Sequence, residues 1–423
     1  MSPFLPGFGN LFVTAIRVAV AVAALLVVPC GDVAAKLQVL YDFCPKGGCT
    51  RSFSPATLLI DKAGNVYGTR DNGGTNSKGF AFRLHLDGNE WKYKTLYNFC
   101  SDANCADGAS PRGGFIIDSA GNLYGTTSEG GNTNQGVFFE ITAAGNYQVL
   151  YSFCPDDNTC ADGAAPLGTL TYAGAETGEP YDGSSPLYGT GVASDNGIVF
   201  ELTQSGGTWT STTDYSLGED GENCISDSVI MDASGNLFGA AQTCGSGGEA
   251  FVLGNGDTGW GEISLYSFSN NATGGDPYGP LIEDSKGRLY VAAEMGGKNM
   301  VGVIVRLSPV VNTYVPKVLH SFNVRDGSWP MGGLVADASG NFFGTTNGGG
   351  RGDGATVFEL SGKNLRVLYQ FCLHDNDCSH GSRPVAGVVL DSAGNVYGTT
   401  TEGGAHGFGT VFEISNSDGA VRK

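Results

Sequence analysis

The stretch DSAGNLYGTTSEGG, residues 118–131, recurs with small changes along the chain. Five further copies begin at Asp61, Asp232, Asp284, Asp337 and Asp391, and a seventh, around Tyr188, carries the insertion YAGAETGEPYDGSSP in place of its turn. The aromatic residues that follow the turns lie 50 to 64 residues apart, at Tyr67, Tyr124, Tyr188, Phe238, Tyr290, Phe343 and Tyr397. A repeat of this period indicates an array of supersecondary units.

Each repeat predicts four short strands separated by turns. In the second repeat these segments read GGFIID, LYGTT, VFFEIT and YQVLYSF. Asp118 can accept hydrogen bonds from the N–H groups of its own turn, and Gly121 supplies the positive φ that the turn requires. Apolar runs such as VFFEI alternate little, so we expect neighbours on both faces of each sheet. Such sheets are typical of propeller blades, and the sequence therefore predicts an all-β, seven-bladed β-propeller with four antiparallel strands per blade.

The two ends of the repeat array predict how the ring closes. We name the strands of a blade a to d, from axis to rim. The last repeat ends after strand c, whereas residues 36–43, KLQVLYDF, read as a strand d with no blade before it. We expect this N-terminal strand to pair with residues 411–414 and to complete the last blade, because closure removes exposed sheet edges.

Residues 1–35 read as a secretory signal peptide, and residues 36–423 as a single propeller domain. Arg17 precedes the apolar run VAVAVAALLVVP, and VAA before Lys36 fits a small-x-small cleavage site. The run is short for a membrane span. In the alternative, a lipoprotein acylated at Cys30, Pro29 occupies a position that normally holds a small residue. We expect a secreted protein, extracellular or periplasmic, with no transmembrane segment in the mature chain.

The cysteines fit this location. The chain has 11, and ten remain without Cys30. An even number in a secreted chain predicts disulfides. The expected pairs follow the repeat: Cys44–Cys49, Cys100–Cys105, Cys154–Cys160, Cys224–Cys244 and Cys372–Cys378. Zinc binding is the alternative, because Cys-x4-Cys is a usable ligand spacing, but the pairs fall on separate blades.

The charge limits the possible partners. The net charge is −19, and removal of residues 1–35 takes away one arginine and one aspartate and leaves it unchanged. This charge disfavours nucleic acid and anionic membrane as partners. It is compatible with cations or neutral glycans, and we expect a monomer.

The pattern D-x-x-G-N-[LV]-[YF]-G-T-T-x-x-G-G, followed by G-x-V-F-E-[IL], resembles the GloVer tandem repeat of bacterial secreted proteins that carry a choice of surface anchor. The resemblance covers residues 36–415 and is most specific in blades two, six and seven. Blade three departs through its insertion, and blades four and five depart at FGAA and YVAA. The segment EDSKGRLYVAA is also similar to turns of NHL and gluconolactonase-like propellers. The resemblance implies an extracellular propeller and no defined activity.

The sequence places its most reactive side chains in blade seven. In a propeller the d–a and b–c loops share one face, here called the top face. The d–a loop of blade seven brings His374, Asp377 and His380 to it, and the b–c loop brings Glu402 and His406. These groups could bind a transition metal or act as acid and base. The alternative is a set of exposed loop histidines that do not converge.

Other top-face loops are acidic. Oxygen ligands in loops closed by a disulfide could hold Ca²⁺, although no bidentate glutamate stands at the required distance and Asx-turns explain the same residues. We therefore predict no obligatory cofactor. The residues are Asp102, Asn104, Asp107, Asp156, Asp157, Asn158, Asp162, Asp375, Asn376 and Asp377.

Trp329, before Pro330 in a top loop, could stack on a sugar ring. Trp91, Trp209 and Trp260 open d strands and are expected to pack at the rim. No nucleophile elbow, HExxH, P-loop or Rossmann motif is present. We therefore expect a binding module for carbohydrate or cell-envelope ligands. The alternative is a propeller hydrolase or lyase acting on glycans or lactones through top-face carboxylates or histidines.

Overall fold

The computed structural model describes residues 36–44, 57–155, 160–193, 196–217, 224, 226–242, 244–256, 259–311, 313–373 and 377–416. These residues form a seven-bladed β-propeller of antiparallel sheets. The first strand, β1 (Leu37–Asp42), belongs to the last blade. Blade one contains β2 (Leu59–Ile60), β3 (Val66–Arg70), β4 (Phe80–Asp87) and β5 (Glu90–Asn98). Blade two contains β6 (Ile116–Ile117), β7 (Leu123–Thr126), β8 (Val137–Ile141) and β9 (Tyr147–Ser152).

Blade three is the irregular one. It contains β10 (Leu187–Ala193), β11 (Asn196–Ser205) and β12 (Thr208–Ser216). Its innermost segment contributes only the bridge between Thr171 and Tyr188. The insertion that replaces its turn carries a short 3-10 helix, Ala175–Thr177, and a second one, Ala103–Cys105, lies in the loop before blade two.

The remaining blades have four strands each. Blade four contains β13 (Ser226–Met231), β14 (Leu237–Ala241), β15 (Glu249–Gly256) and β16 (Gly259–Ser267). Blade five contains β17 (Gly275–Glu283), β18 (Leu289–Met295), β19 (Val303–Val310) and β20 (Thr313–Ser321). Blade six contains β21 (Val335–Ala336), β22 (Phe342–Thr346), β23 (Thr356–Ser361) and β24 (Asn364–Gln370). Blade seven contains β25 (Val389–Leu390), β26 (Val396–Thr399), β27 (Thr410–Ile414) and β1.

The predicted ring closure is confirmed. β1 pairs antiparallel with β27, from Leu37 opposite Ile414 to Asp42 opposite Thr410. Phe43 then lies in the apolar cluster between blades seven and one, together with Phe82 and Val411. Arg70 also joins these blades, because its Nη1 donates to the carbonyl oxygen of Phe408 (2.6 Å) and its guanidinium lies over the Phe43 ring.

The recurring Asp-x-x-Gly-Asn turn is part of the scaffold, as predicted. Asp118 Oδ1 accepts from the N–H groups of Ala120 and Asn122, and its Oδ2 accepts from the Asn122 amide and the Tyr124 hydroxyl. The same contacts recur at Asp61 and Asp391. One carboxylate thus orders its turn and fixes strand b above it.

Candidate functional site

On the top face, the d–a and b–c loops of a blade are paired by their backbones. Ala109 bridges Glu129, Ser328 bridges Gly348, and Ser382 bridges Glu402, each with two N–H···O bonds. These pairs lie in blades two, six and seven. The loops are therefore held in fixed positions around the axis.

Five residues of the d–a loops form an outer ring with unusual backbone geometry. Each precedes a proline that is buried, and each has a φ between 42° and 56°. Each N–H donates to a carbonyl oxygen in the b–c loop of the preceding blade, over 2.7–3.3 Å. Positive φ is costly for non-glycine residues and persists only where surrounding contacts impose it. The outer ring consists of Ser110, Ala165, Asp276, Trp329 and Arg383.

A cavity of about 420 Å³ lies on the axis inside this ring, and all seven blades contribute to its wall. The residues two positions after the outer-ring residues line it, together with Asp227 of blade four. We call this set the inner ring: Arg112, Leu167, Asp227, Tyr278, Met331 and Val385.

Glycines below the inner ring let the blades approach closely. A Cβ on Gly113 would lie 2.3 Å from the carbonyl oxygen of Gly168, and one on Gly332 would lie 2.6 Å from that of Ala386. Asp227 is the exception at this repeat position. Its carboxylate accepts from the Gln242 side chain (2.6 Å) and from the backbone N–H of Gly279 in blade five.

Blades four and five contribute carboxyl and phenol groups to the mouth. Burial raises the pKa of Asp227, and the backbone of Gly279, Gln242 and the charge of Arg112 oppose the rise. Burial, and then Asp276, raise the pKa of Glu294. Burial raises the pKa of Tyr278 to about 12, with further contributions from Glu294, Asp227 and Asp276. The mouth therefore presents a phenol among partly desolvated carboxyl groups, an arrangement that can donate to and accept from ligand hydroxyl groups.

The structure describes four of the five predicted blade-seven groups, and His374 lies outside the described residues. His380 Nδ1 is 2.9 Å from the Tyr369 hydroxyl, and Asp377 Oδ1 accepts from the N–H of Ser379. Glu402 lies 3.7 Å from Arg383, and His406 is exposed. Within the described part of the chain, no group of three or more His, Cys, Asp or Glu side chains is arranged to hold a metal ion.

The contact of His380 reproduces one that recurs in other blades. Asp107 and Asp162, at the same repeat position, accept from the hydroxyls of Tyr97 and Tyr151 at 2.6 and 2.5 Å. The carbonyl oxygen of His380 accepts from Thr410, as that of Asp326 accepts from Thr356. This position therefore orders the d–a loop against strand d.

The acidic loops that could hold Ca²⁺ make local contacts where they are described. Asp107 accepts from the backbone N–H groups of Ser101 and Asp102, and Asp162 accepts from that of Cys154. Residues 156–159 and 374–376 lie outside the described residues. The contacts are those of Asx-type loop closure.

The tryptophans divide as the sequence predicts. Three pack between blades: Trp91 against Tyr397, Trp209 against Phe138, and Trp260 against Tyr188. Trp329 is 40% exposed on the top face, and its ring lies against Gly348.

Four of the five predicted disulfides are confirmed, namely Cys100–Cys105, Cys154–Cys160, Cys224–Cys244 and Cys372–Cys378. The fifth prediction involves Cys49, which lies outside the described residues. Among the helices that the structure describes, none is long and apolar enough to cross a membrane.

The sequence contains a signal for the mouth that the blade-seven hypothesis overlooked. Five residues before the turn aspartate stand Gly113, Gly279, Gly332 and Ala386, but blade four has Asp227. Ten residues after the turn aspartate, most blades have a small or medium polar residue, but blades four and five have Gln242 and Glu294. The first departure places a carboxylate in the cavity wall, where Gln242 donates to it, and Glu294 contributes to the raised pKa of Tyr278.

The fold and the axial cavity define a β-propeller whose candidate site is the top mouth of its channel. The chain belongs to the family of the Gloeobacter/Verrucomicrobia repeat, whose model matches residues 30–183 and 254–423. Within the repeat array the unmatched residues are 184–253, which contain most of blades three and four. No curated protein sequence matches the chain.

Two solved structures show the same fold. The extracellular domain of a B. thetaiotaomicron protein described as a one component system has a TM-score of 0.54 and 12% identity, with 90% of this chain and 40% of that chain covered. A puromycin hydrolase has a TM-score of 0.54 and 13% identity, with 88% of this chain and 53% of that chain covered. The chain thus spans about half or less of each of these proteins, and the likeness shows the fold alone.

Proposed function

We propose that this protein is a secreted binding module that takes a neutral glycan, of the kind found in cell envelopes, at the top mouth of its axial cavity. The axial cavity is the observation that carries the proposal. It is large enough for a sugar ring, and its walls are mostly glycine and apolar side chains. Its polar side chains include Asp227, which accepts from Gln242, and Tyr278 in blades four and five, and Arg112 in blade two. Ligand pockets commonly combine an apolar wall with a few convergent polar groups.

Charge and location support this choice. The net charge of −19 and the carboxyl groups of the mouth disfavour anionic polymers. The four disulfides fit an extracellular or periplasmic location, where envelope glycans occur. Planar amide, carboxyl and phenol groups are able to pair with the hydroxyls of a neutral sugar.

The test is a glycan array, followed by titration calorimetry of the glycans that bind. Tyr278→Ala should lower the affinity at least about tenfold, because it removes a central polar group of the mouth. His406→Ala, in the blade-seven patch, is the matched control and should leave the affinity unchanged. A loss of affinity in His406→Ala and not in Tyr278→Ala would place the site in blade seven. No binding of any glycan would refute the proposal.

A hydrolase or lyase acting on glycans or lactones is a second candidate. Burial raises the pKa of both Asp227 and Glu294, and a raised carboxyl pKa suits a general acid. Product analysis of the bound glycans and of simple lactones would detect this activity, and Glu294→Gln should abolish it. Unchanged glycans after long incubation would leave binding as the function.

A further inference from the structure

The outer ring differs from the rest of the repeat because its backbone is uniform and its side chains are not. The five residues are serine, alanine, aspartate, tryptophan and arginine, yet all five share the same left-handed backbone. Such conformations are retained where function or packing imposes them. Here the packing is visible: four of the five following prolines pack on a glycine of the preceding blade, and Pro330 Cδ lies 2.4 Å from the position of a Cβ on Gly302. The fold thus fixes the ring and leaves its side chains free to vary.

Trp329 is held firmly in this ring. Its N–H donates to the carbonyl oxygen of Val301 in blade five, and its own carbonyl oxygen accepts from the N–H of Asn347 in blade six, both at 2.9 Å. Gly348 lies directly under the indole, because a Cβ there would be 2.9 Å from two ring carbons. With one side packed and 40% of the residue exposed, the indole is a preformed surface that a ligand can cover without ordering it first.

The neighbours of Trp329 in the ring are polar, and the axial cavity adjoins it. In the order of the ring, Asp276 of blade five precedes it and Arg383 of blade seven follows it, and Arg383 Nε lies 3.5 Å from the side-chain oxygen of Asn347, whose N–H donates to the Trp329 carbonyl oxygen. Met331, two residues after Trp329, lines the cavity. An apolar ring face between hydrogen-bonding side chains matches a sugar, which has C–H groups on its faces and hydroxyls at its edge.

We infer that Trp329, with Asp276 and Arg383, forms a second sugar subsite beside the cavity mouth, so that the ligand class is an oligosaccharide of several residues. This inference rests on the proposed function, because it extends the same site outward. One sugar residue occupies the mouth, and a neighbouring residue of the same glycan stacks on the indole. Trp329 is then the residue that makes affinity depend on chain length.

The test compares affinities for short and long neutral glycans by titration calorimetry. The probes are cellohexaose, mannohexaose and chitohexaose, each beside its monosaccharide. In the wild-type protein at least one hexasaccharide should bind more tightly than its monosaccharide. Trp329→Ala should reduce hexasaccharide binding by about five- to tenfold and leave monosaccharide binding unchanged, whereas Trp329→Phe should retain most of the difference.

Leu373→Ala is the matched control, because Leu373 is a 43% exposed side chain of the same face that lies outside the ring. It should change neither affinity. If Trp329→Ala folds and keeps the full dependence on chain length, the subsite is refuted while the mouth stands. If the wild-type protein binds a monosaccharide but none of the three hexasaccharides more tightly, the subsite is likewise refuted while the mouth stands, and only the absence of binding to any glycan of the array refutes both.

Discussion

Blades one, two, six and seven repeat one set of contacts, whereas blades three to five replace several of them with acidic or amide side chains. In the regular blades, strand b carries a threonine after its glycine, and in blades one and six this threonine bonds to the next blade, Thr69 to Gly113 and Thr345 to Ala386. The equivalent hydroxyls of Thr126 and Thr399 are buried without a hydrogen-bond partner among the described residues. In blades four and five the equivalent threonines are alanines. The family match shows part of this division, since it leaves out residues 184–253. We call blades one, two, six and seven the regular sector and blades three to five the irregular sector. The repeat sequence is most uniform in the regular sector, and the departures from it fall in the irregular sector.

One substitution in the repeat pattern, Asp214 in strand d of blade three, lies between blades three and four and not at the axis. Strand d carries leucine before its aromatic residue in six blades, and blade three has Asp214. Leu265 and Leu368 pack at the interface with the next blade. Asp214 Oδ2 is buried without a hydrogen-bond partner, and burial and then Glu201 raise the pKa of this carboxyl to about 7. The irregular sector is therefore expected to be less stable than the regular one.

The largest expected effect comes from deleting residues 37–42, which form β1. The deletion removes Leu37 and Leu40 from the core and exposes the edge of β27. Truncating a buried leucine costs about 2–5 kcal/mol, so the free energy of unfolding should fall by about 5 kcal/mol or more. Thermal unfolding followed by circular dichroism measures this change.

Deleting residues 417–423 is the control for the closing strand. Equal melting temperatures for the two truncations would show that the regular sector does not depend on this closure.

A smaller effect is expected from removing Cys224–Cys244, the disulfide of the irregular sector. It closes 20 residues, whereas Cys372–Cys378 closes six. In the chain-entropy model these loops correspond to about 3 and about 2 kcal/mol of stability. Double alanine variants of each pair, unfolded in urea, would measure both values. A greater loss in the Cys372–Cys378 variant would contradict the view that the irregular sector depends more on its covalent link.

The smallest expected effect is a gain from Asp214→Leu, which restores the repeat residue. The pKa of Asp214 is about 7 in the folded protein and 3.8 when unperturbed. Between these pH values the carboxyl is therefore protonated in the native state and ionised in the unfolded chain. The free energy of unfolding should therefore fall as pH rises from about 4 to about 7 and level off above. Because the carboxyl is partly exposed, the gain at pH 8 should be about 1–2 kcal/mol.

Urea unfolding from pH 4 to pH 9 tests this prediction. Asp214→Asn, which cannot titrate, should remove the same part of the pH dependence. Tyr188 and Glu201 face Asp214, and the Tyr188 hydroxyl donates to Glu201 (2.9 Å). An unchanged pH profile in both variants would assign the pH dependence to other groups.

The fold could be predicted in detail because the same pattern of strands and turns occurs seven times in the sequence. The turn from Asp118 to Asn122 contains its own hydrogen-bond partners, and it recurs along the chain. The N-terminal strand has no blade before it and the last repeat has no strand d, so the pairing of β1 with β27 could be predicted. Of the candidate site, the sequence indicated only Trp329, from its type and its place in a top loop. Asp227 and Tyr278 lie 51 residues apart in sequence and have no common motif.

What the sequence alone determined was the local chemistry of the repeat: its turns, its strand order, the spacing of its cysteines and the strand that closes the ring. These features depend on residues close together in the chain or on the periodic pattern. The tertiary structure decided which variable positions meet. It brings the loop ends of all seven blades to one axis, fixes the outer ring through bonds between blades, and places Asp227 of blade four on the backbone N–H of Gly279 in blade five. Contacts of that kind depend on the packing of blade against blade, and no single repeat contains them.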